Sequence, residues 1–303
     1  MNTPIDRRSL LTAVGAAGVA AGIVGATVAH AANVTQPKQA APQLPTDPES
    51  MLRTLVRIQG TTGTERVTWK TRIVVYGVQP TGVQPLIALR GSESSWWERR
   101  DERSWVRYSS TLSFFEELGS NRFVEEFRNP LNGYVGKVPA SFIRHKEGEF
   151  FTTNGEYFGS MKRAFPQSYP DEPLHPEWTL EAGFVRLRAA SNFPPILKQP
   201  TREVATLSAP VDQLFDTRIA TPAATVSGWN IRPWEPWLGM GDAPGHVIWH
   251  FDGVKLQNVE QHDADYLQRA RAYTPLFDQS PKLDEGPSFF ERILTRQPNR
   301  AAT

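Results

Sequence analysis

Two stretches of this chain carry residue types that do chemistry. Over residues 122–128, Phe123, Glu125 and Phe127 alternate with Arg122, Val124, Glu126 and Arg128. A period of two places Glu125 between two phenylalanines on one face of a strand. A carboxylate on an apolar face loses hydration and must be protonated or paired. Acids that transfer protons sit in such places. A structural ion pair, with Arg186 or Arg232 as partner, is the more ordinary explanation of such a carboxylate, and a register shifted by one turns Glu125 to water. The second stretch puts Trp229, Trp234, Trp237 and Arg232 within nine residues, punctuated by Pro233 and Pro236. Those side chains suit a flat apolar or aromatic ligand, with Arg232 stacking on it or holding its carboxylate. The same pattern also staples a long loop over a barrel mouth. Phe123, Phe127 and Trp249 share the apolar faces of their strands and complete the expected ligand-contact set.

Other chemistries lack their residues. The chain has no cysteine, which removes thiolate metal sites, disulfides and Cys nucleophiles. It has no G-x-x-x-x-G-K-[ST] loop, G-x-S-x-G elbow or H-E-x-x-H pair. Gly239, Gly241 and Gly245 are spaced one residue too long for a dinucleotide fingerprint and follow no strand. His246 and His250 flank Val247, Ile248 and Trp249, a strand pattern. Four residues of strand separate them by roughly 13 Å, too far to share one ion. No metal and no cofactor is therefore expected. Lys and Arg number 33 against 32 Asp and Glu, so no basic excess favours nucleic acid.

These side chains need a sheet to position them. Val67, Trp69, Thr71, Ile73 and Val75 alternate with Arg66, Thr68, Lys70 and Arg72, which predicts a strand with one wet face. Further strands are predicted over 85–90, 104–109, 122–128, 134–138, 149–153, 156–158, 178–189, 201–208, 225–231 and 245–251. Asn129-Pro130-Leu131-Asn132-Gly133 reads as a hairpin turn. In the neighbouring Trp96 and Trp97 only one ring can face inward. Short helices are expected at 48–59, 263–273 and 287–294. Strands in succession without βαβ alternation predict a mainly β fold: an antiparallel, lipocalin-like barrel with short flanking helices at both ends. Residues 165–178 hold Pro166, Pro170, Pro173 and Pro176, a stiffened loop that is either a lid or a surface crossover. No linker after residue 48 divides the chain, so 49–303 is expected to be a single β-barrel domain.

The N-terminus reads as an address. Arg7-Arg8 precede Ser9-Leu10-Leu11 and an uncharged run to Ala29, and Ala29-His30-Ala31 has the form of a cleavage site. The pattern resembles a twin-arginine export signal over 1–31, with 32–48 a flexible tether. An uncleaved anchor is the alternative reading. The expected location is the periplasm. The export machinery is then a partner, and the membrane is met only through the signal segment.

Two motifs are distinctive: Trp229-Asn230-Ile231-Arg232-Pro233-Trp234-Glu235-Pro236-Trp237-Leu238-Gly239-Met240-Gly241, leading to Gly253-Val254-Lys255-Leu256, and Phe127-Arg128-Asn129-Pro130-Leu131-Asn132-Gly133. Together they resemble the domain of unknown function 1838 family over about residues 49–294. The chain departs from that family's pattern at Phe127, Asn132 and Leu238, and Ala140-Ser141-Phe142-Ile143 stands where an Asn-Asp-Pro stretch is expected. The resemblance implies fold and export and carries no reaction. The functional expectation is thus a periplasmic barrel that binds a small hydrophobic or aromatic molecule. Acid–base chemistry of the lyase or isomerase type through Glu125 is the simplest conversion such a barrel offers. The rival is a non-catalytic envelope protein whose Trp-rich loop binds a protein partner.

Replacing Arg7 and Arg8 by Lys should block export, and N-terminal sequencing of exported protein should begin at Ala32. Normal export of the double variant contradicts the twin-arginine route. An intact Met1 end in the membrane fraction contradicts cleavage.

Overall fold

Twelve strands and five short α-helices are present among residues 43–193 and 201–295, the parts that the computed structural model describes. The expected export signal over 1–31 and most of the expected tether over 32–48 lie outside the described residues. The strands are β1 Val67–Gln79, β2 Gly82–Asp101, β3 Ser104–Glu116, β4 Glu126–Arg128, β5 Val135–Lys137, β6 Ser141–Thr152, β7 Gly155–Phe158, β8 Glu177–Glu181, β9 Phe184–Phe193, β10 Thr201–Pro210, β11 Thr225–Arg232 and β12 His246–Leu256. Ten of them form one antiparallel sheet in the order β7-β6-β3-β2-β1-β12-β11-β10-β9-β8. The remaining two, β4 and β5, make a separate hairpin. The mainly β, antiparallel expectation holds, and the sheet curls into a half-barrel whose edges are β7 and β8. The expected strands over 85–90 and 104–109 are parts of β2 and β3, which are 20 and 13 residues long.

Curling follows from packing. On one face, Trp105 of β3 and Phe151 of β6 share a core cluster with Val185 of β9 and Leu207 of β10. These strands lie far apart in the sheet order, so only a curved sheet brings them together. Helix α1 (Pro48–Gln59) fills the end of this concave face with Leu52, Leu55, Val56 and Ile58. Asp47 caps α1 by accepting a hydrogen bond from the Ser50 amide at 2.9 Å. Gly60 ends it in close approach to the Trp97 ring, where a Cβ would lie 2.1 Å from an indole carbon. Trp97 is thus the inward member of its pair, and Trp96 lies on the other face beneath Arg66. At the opposite end a second cluster joins Val75, Leu89, Phe115 and Val247 to Leu238 and Met240 of the Trp-rich loop.

The convex face is covered by the C-terminal region. Helix α4 (Ala264–Tyr273) buries Tyr266, Leu267 and Ala270 against Leu112 and Phe114. The Tyr266 hydroxyl donates to the Leu112 carbonyl at 2.8 Å. The other helices are single turns or little more: α2 Gly159–Ala164, α3 Val211–Leu214 and α5 Phe289–Thr295.

The last turn of α1 is fixed by a lysine from across the sheet. Lys255 of β12 is buried, and its Nζ donates to the carbonyls of Arg57 and Gly60 at 2.7 and 3.0 Å. Those carbonyls have no partner within the helix, so Lys255 completes its C-terminal end. Trp69 Nε1 donates to the intervening Gln59 carbonyl at 2.9 Å. Burial, with the Arg57 charge nearby, pushes the Lys255 amine down to about 7. A neutral amine still has two N–H bonds for the two carbonyls.

The sign of the linkage follows. Between about 7 and the ordinary lysine value of 10.5, the unfolded chain holds a proton that the folded chain has released, so stability rises with pH across that window. Lys255→Met should remove this slope. It should also strand two buried carbonyls, at about 1–3 kcal/mol each. Urea melts of both proteins between pH 7.5 and 9.5 test this, and equal slopes contradict it.

Candidate functional site

The concave face carries its own charges between the two apolar ends. In β3, Arg107 shares a face with Trp105, and its guanidinium lies 5.7 Å from the Trp97 ring and 5.3 Å from that of Phe151. Strand register supplies its partners. Glu149 stands directly opposite on β6. Arg107 Nε donates to Glu149 Oε2 at 2.8 Å, and Nη2 bonds the same oxygen. Arg107 Nη1 reaches Glu93 Oε1 of β2 at 3.3 Å. Burial alone lowers a guanidinium's proton affinity, but here the Glu149 and Glu93 charges prevail and raise it.

A third carboxyl joins from the edge strand. Glu156 of β7 stands opposite Phe151, which points inward. Burial lifts its carboxyl well above the ordinary 4.5, and the charge of Glu149 lifts it further. Glu149 raises it and Gln59 of α1 pulls the other way. Two carboxyls in contact share a proton because they cannot both ionise cheaply. Arg107 is bonded to Glu149 and not to Glu156, and it is Glu156 whose carboxyl is raised, so the proton is assigned to Glu156. Glu93 is also raised, by burial and by the charges of Glu149 and Glu203, against the opposing pull of Arg107.

Glu156 and Glu93 are nevertheless open to a water-sized sphere. Glu156 is exposed and Glu93 is 32% exposed. Strand register turns both side chains to the concave side, and they remain accessible there. Small residues at Gly91, Ser113, Thr71, Gly253 and Gly228 lie along that face in register. His145 of β6 stands beside the cluster, between the rings of Phe158 and Phe290 at 4.9 and 5.4 Å. Burial pushes it down to about 4, so it is neutral at pH 7. The Pro-rich stretch closes in from the edge. Leu174 N–H donates to the Thr153 carbonyl at 2.9 Å, and Leu174 packs on the first core cluster. Burial and the Glu149 charge raise the Tyr169 hydroxyl.

The residues expected from the sequence fall elsewhere, with two exceptions. Glu125 is at the surface, 83% exposed, and accepts a hydrogen bond from Arg269 Nη2 at 2.9 Å. The expected strand over 122–128 shrinks to Glu126–Arg128 of the small hairpin. Phe123 packs on the convex side with Phe114, whereas Phe127 packs with Trp237. The alternation was therefore misleading: a chain that leaves the sheet no longer keeps one face toward the core. The partner of Glu125 is Arg269, not Arg186 or Arg232.

Trp234 and Trp237 staple the loop. Trp234 Nε1 donates to the Ala243 carbonyl at 2.8 Å, and Trp237 packs edge-on against Phe115 and Phe127. The two sequence motifs clasp each other. Asn129 Nδ2 donates to the Leu238 carbonyl at 2.7 Å, and Asn132 Nδ2 to that of Gly239 at 3.0 Å. Gly239, at φ +60°, allows the loop to pass the Tyr134 ring. Trp229 stands opposite His250 on the outer face. Arg232 and Trp249 do face the interior, with the guanidinium 4.6 Å from the indole ring. His246 and His250 share the outer face of β12 with Asp252, which lies 3.6 Å from His250.

The acid cluster had a signal in the sequence that went unread. Glu93 shares its parity with Ser95 and Trp97, Arg107 with Trp105, Glu149 with Phe151, and Glu156 with Phe158. Each is a charge on an aromatic face. Only long-range pairing shows that four such positions converge, while Glu125, with the same local pattern, does not.

A family model for a protein of unknown function, DUF1838, matches residues 64–288. The chain belongs to the DUF1838 family. The family match spans the strands that carry the acid cluster and both clasped motifs. No curated protein matches the chain. A solved DUF1329 family protein from Desulfovibrio piger ATCC 29098 is 10% identical, covering 74% of this chain and 100% of that one at a TM-score of 0.20. A likeness at that score carries no argument.

A carboxyl whose folded pKa is raised contributes its full stability below its unfolded value, and that contribution is lost progressively as pH rises through the folded one. Glu156→Gln keeps the shape and the hydrogen-bonding ability without the charge. Its melting temperature should exceed that of the parent by a margin that widens from pH 5 to pH 8. A constant margin, or a less stable variant throughout, contradicts a raised Glu156.

Proposed function

We propose that this chain is an exported, periplasmic half-barrel that binds a small, largely hydrophobic or aromatic molecule in its concave interior and moves a proton on it. The observation that carries the reading is the set of three carboxyls around Arg107 on the concave face: Glu149 and Glu93 bonded to it, and Glu156 on the next strand, its carboxyl raised by burial and by the Glu149 charge. Glu156 is the acid, able to protonate an acceptor atom of the ligand. Glu93, held by Arg107 at only 3.3 Å and raised in pKa, is the base, since it binds a proton more readily than an ordinary carboxylate. An acid and a base on one apolar wall suit an isomerase or lyase that needs no cofactor. The aromatic surroundings supply the apolar contact area.

The rival reading, a Trp-rich loop that binds a protein partner, needs those tryptophans at the surface. Trp234 and Trp237 are instead engaged with Ala243, Phe115 and Phe127, which favours the ligand reading.

Protein purified gently from the periplasm and weighed by native mass spectrometry should carry a ligand of a few hundred daltons or less. Glu156→Gln should retain it, and turnover of the identified compound should fall ~10²–10⁴-fold. Full turnover in that variant removes Glu156 from the chemistry. A ligand-free mass in every preparation contradicts the binding reading.

A further inference from the structure

We propose that Arg232 and Trp249 form a second subsite in the same interior, which takes the single carboxylate of an otherwise apolar ligand. The inference rests on the ligand-binding reading above and adds to it the charge and class of what is bound.

Register sets the geometry. Asn230 pairs with Trp249, and Arg232 with Val247, so the three polar side chains share the inner face of β11 and β12. The Trp249 indole N–H is buried and has no hydrogen-bond partner. Buried N–H groups in folded proteins are almost always paired, and an unpaired one calls for an explanation. A bound acceptor supplies one. Arg232 lies over the same indole at 4.6 Å. Among the described residues its one hydrogen bond runs from Nε to Asn230 Oδ1 at 3.0 Å. Its Nη1 is 3.9 Å from Glu235 Oε1, beyond hydrogen-bonding distance. The side chain is 39% exposed. A guanidinium with uncommitted terminal N–H groups beside a buried indole N–H matches a carboxylate, which accepts from both.

The rest of the interior limits the charge. Asn230 Nδ2 donates to Glu203 Oε2 at 2.9 Å, and the charge of Glu203 reaches Glu93. Register places Glu203, Asn230, Trp249 and Glu93 on the same concave face, so the corner and the acid cluster share it. Beyond Arg232 that interior is acidic: Glu93, Glu149 and Glu203 stand against Arg107, and Glu156 carries its proton. A second negative charge on the ligand meets these carboxyls, so a monocarboxylic acid fits and a phosphate or dicarboxylate does not. Glu235 is the acid that competes for Arg232. Burial raises its carboxyl, so it gives up its charge more easily than an exposed glutamate.

Phenylacetate and 2-phenylethanol share an aromatic body and differ in the carboxylate, so the pair tests the subsite. Each is titrated into ¹⁵N-labelled full-length mature protein, with the Trp249 indole resonance assigned through Trp249→Phe. Phenylacetate should shift that resonance and bind at least ten-fold more tightly than 2-phenylethanol. Arg232→Met should abolish the difference between the two probes. Equal binding of the two probes, or no movement of the Trp249 resonance, overturns the subsite and leaves the ligand reading standing. Binding of neither probe overturns both. Should Arg232→Met fail to fold, the parental comparison of the two probes decides on its own.

Discussion

A guanidinium inside a half-barrel must be neutralised, and the way Arg107 is neutralised organises the interior. It binds Glu149 through two nitrogens and Glu93 through a third. That leaves more carboxyls than cations on the wall, because Glu156 packs against Glu149 from the edge strand. The surplus is resolved by protonation, since a further ionised carboxyl there would face the Glu149 charge without a cation of its own. One arginine thus fixes which carboxyl is charged, which holds a proton, and on which side of the sheet the chemistry lies.

The remainder of the fold keeps that interior closed at both ends. At one end α1 inserts its apolar face, and Lys255 and Trp69 bind its last carbonyls. At the other, Asn129 and Asn132 hold the Trp-rich loop by its backbone, and Trp237 fills the space between Phe115 and Phe127. The residues through which the chain resembles its family are largely those of the two closures. Their chemistry is capping and clasping, and the proton-bearing groups lie on the strands between them.

Local patterns in the sequence reached the sheet and its short helices but not the convergence of side chains. The strand at Val67–Gln79 and the helix at Pro48–Gln59 were legible because their periodicity is carried by adjacent residues and their burial agrees with it. Glu125 was misplaced because two phenylalanines at the right spacing packed into separate clusters on opposite faces. Glu93, Arg107, Glu149 and Glu156 come from four strands, and their meeting depends on register across β2, β3, β6 and β7. A β-bulge between Arg107 and Ser109 enters that register, and no local pattern in the chain announces it. The inward placement of Trp249 was legible from Val247 and Phe251 at the same parity, whereas that of Arg232 follows from the register of β11 on β12 and not from its neighbours.

The central claim is that Glu156 holds a proton because Glu149 is fixed as a carboxylate by Arg107. A ¹³C NMR titration of the glutamate side-chain carboxyls, with Glu156 assigned through Glu156→Gln, reads this directly. The account predicts a Glu156 midpoint well above the ordinary 4.5, with Glu149 still ionised where Glu156 carries its proton. An unshifted Glu156 midpoint, or a proton found on Glu149 while Glu156 is ionised, would contradict it.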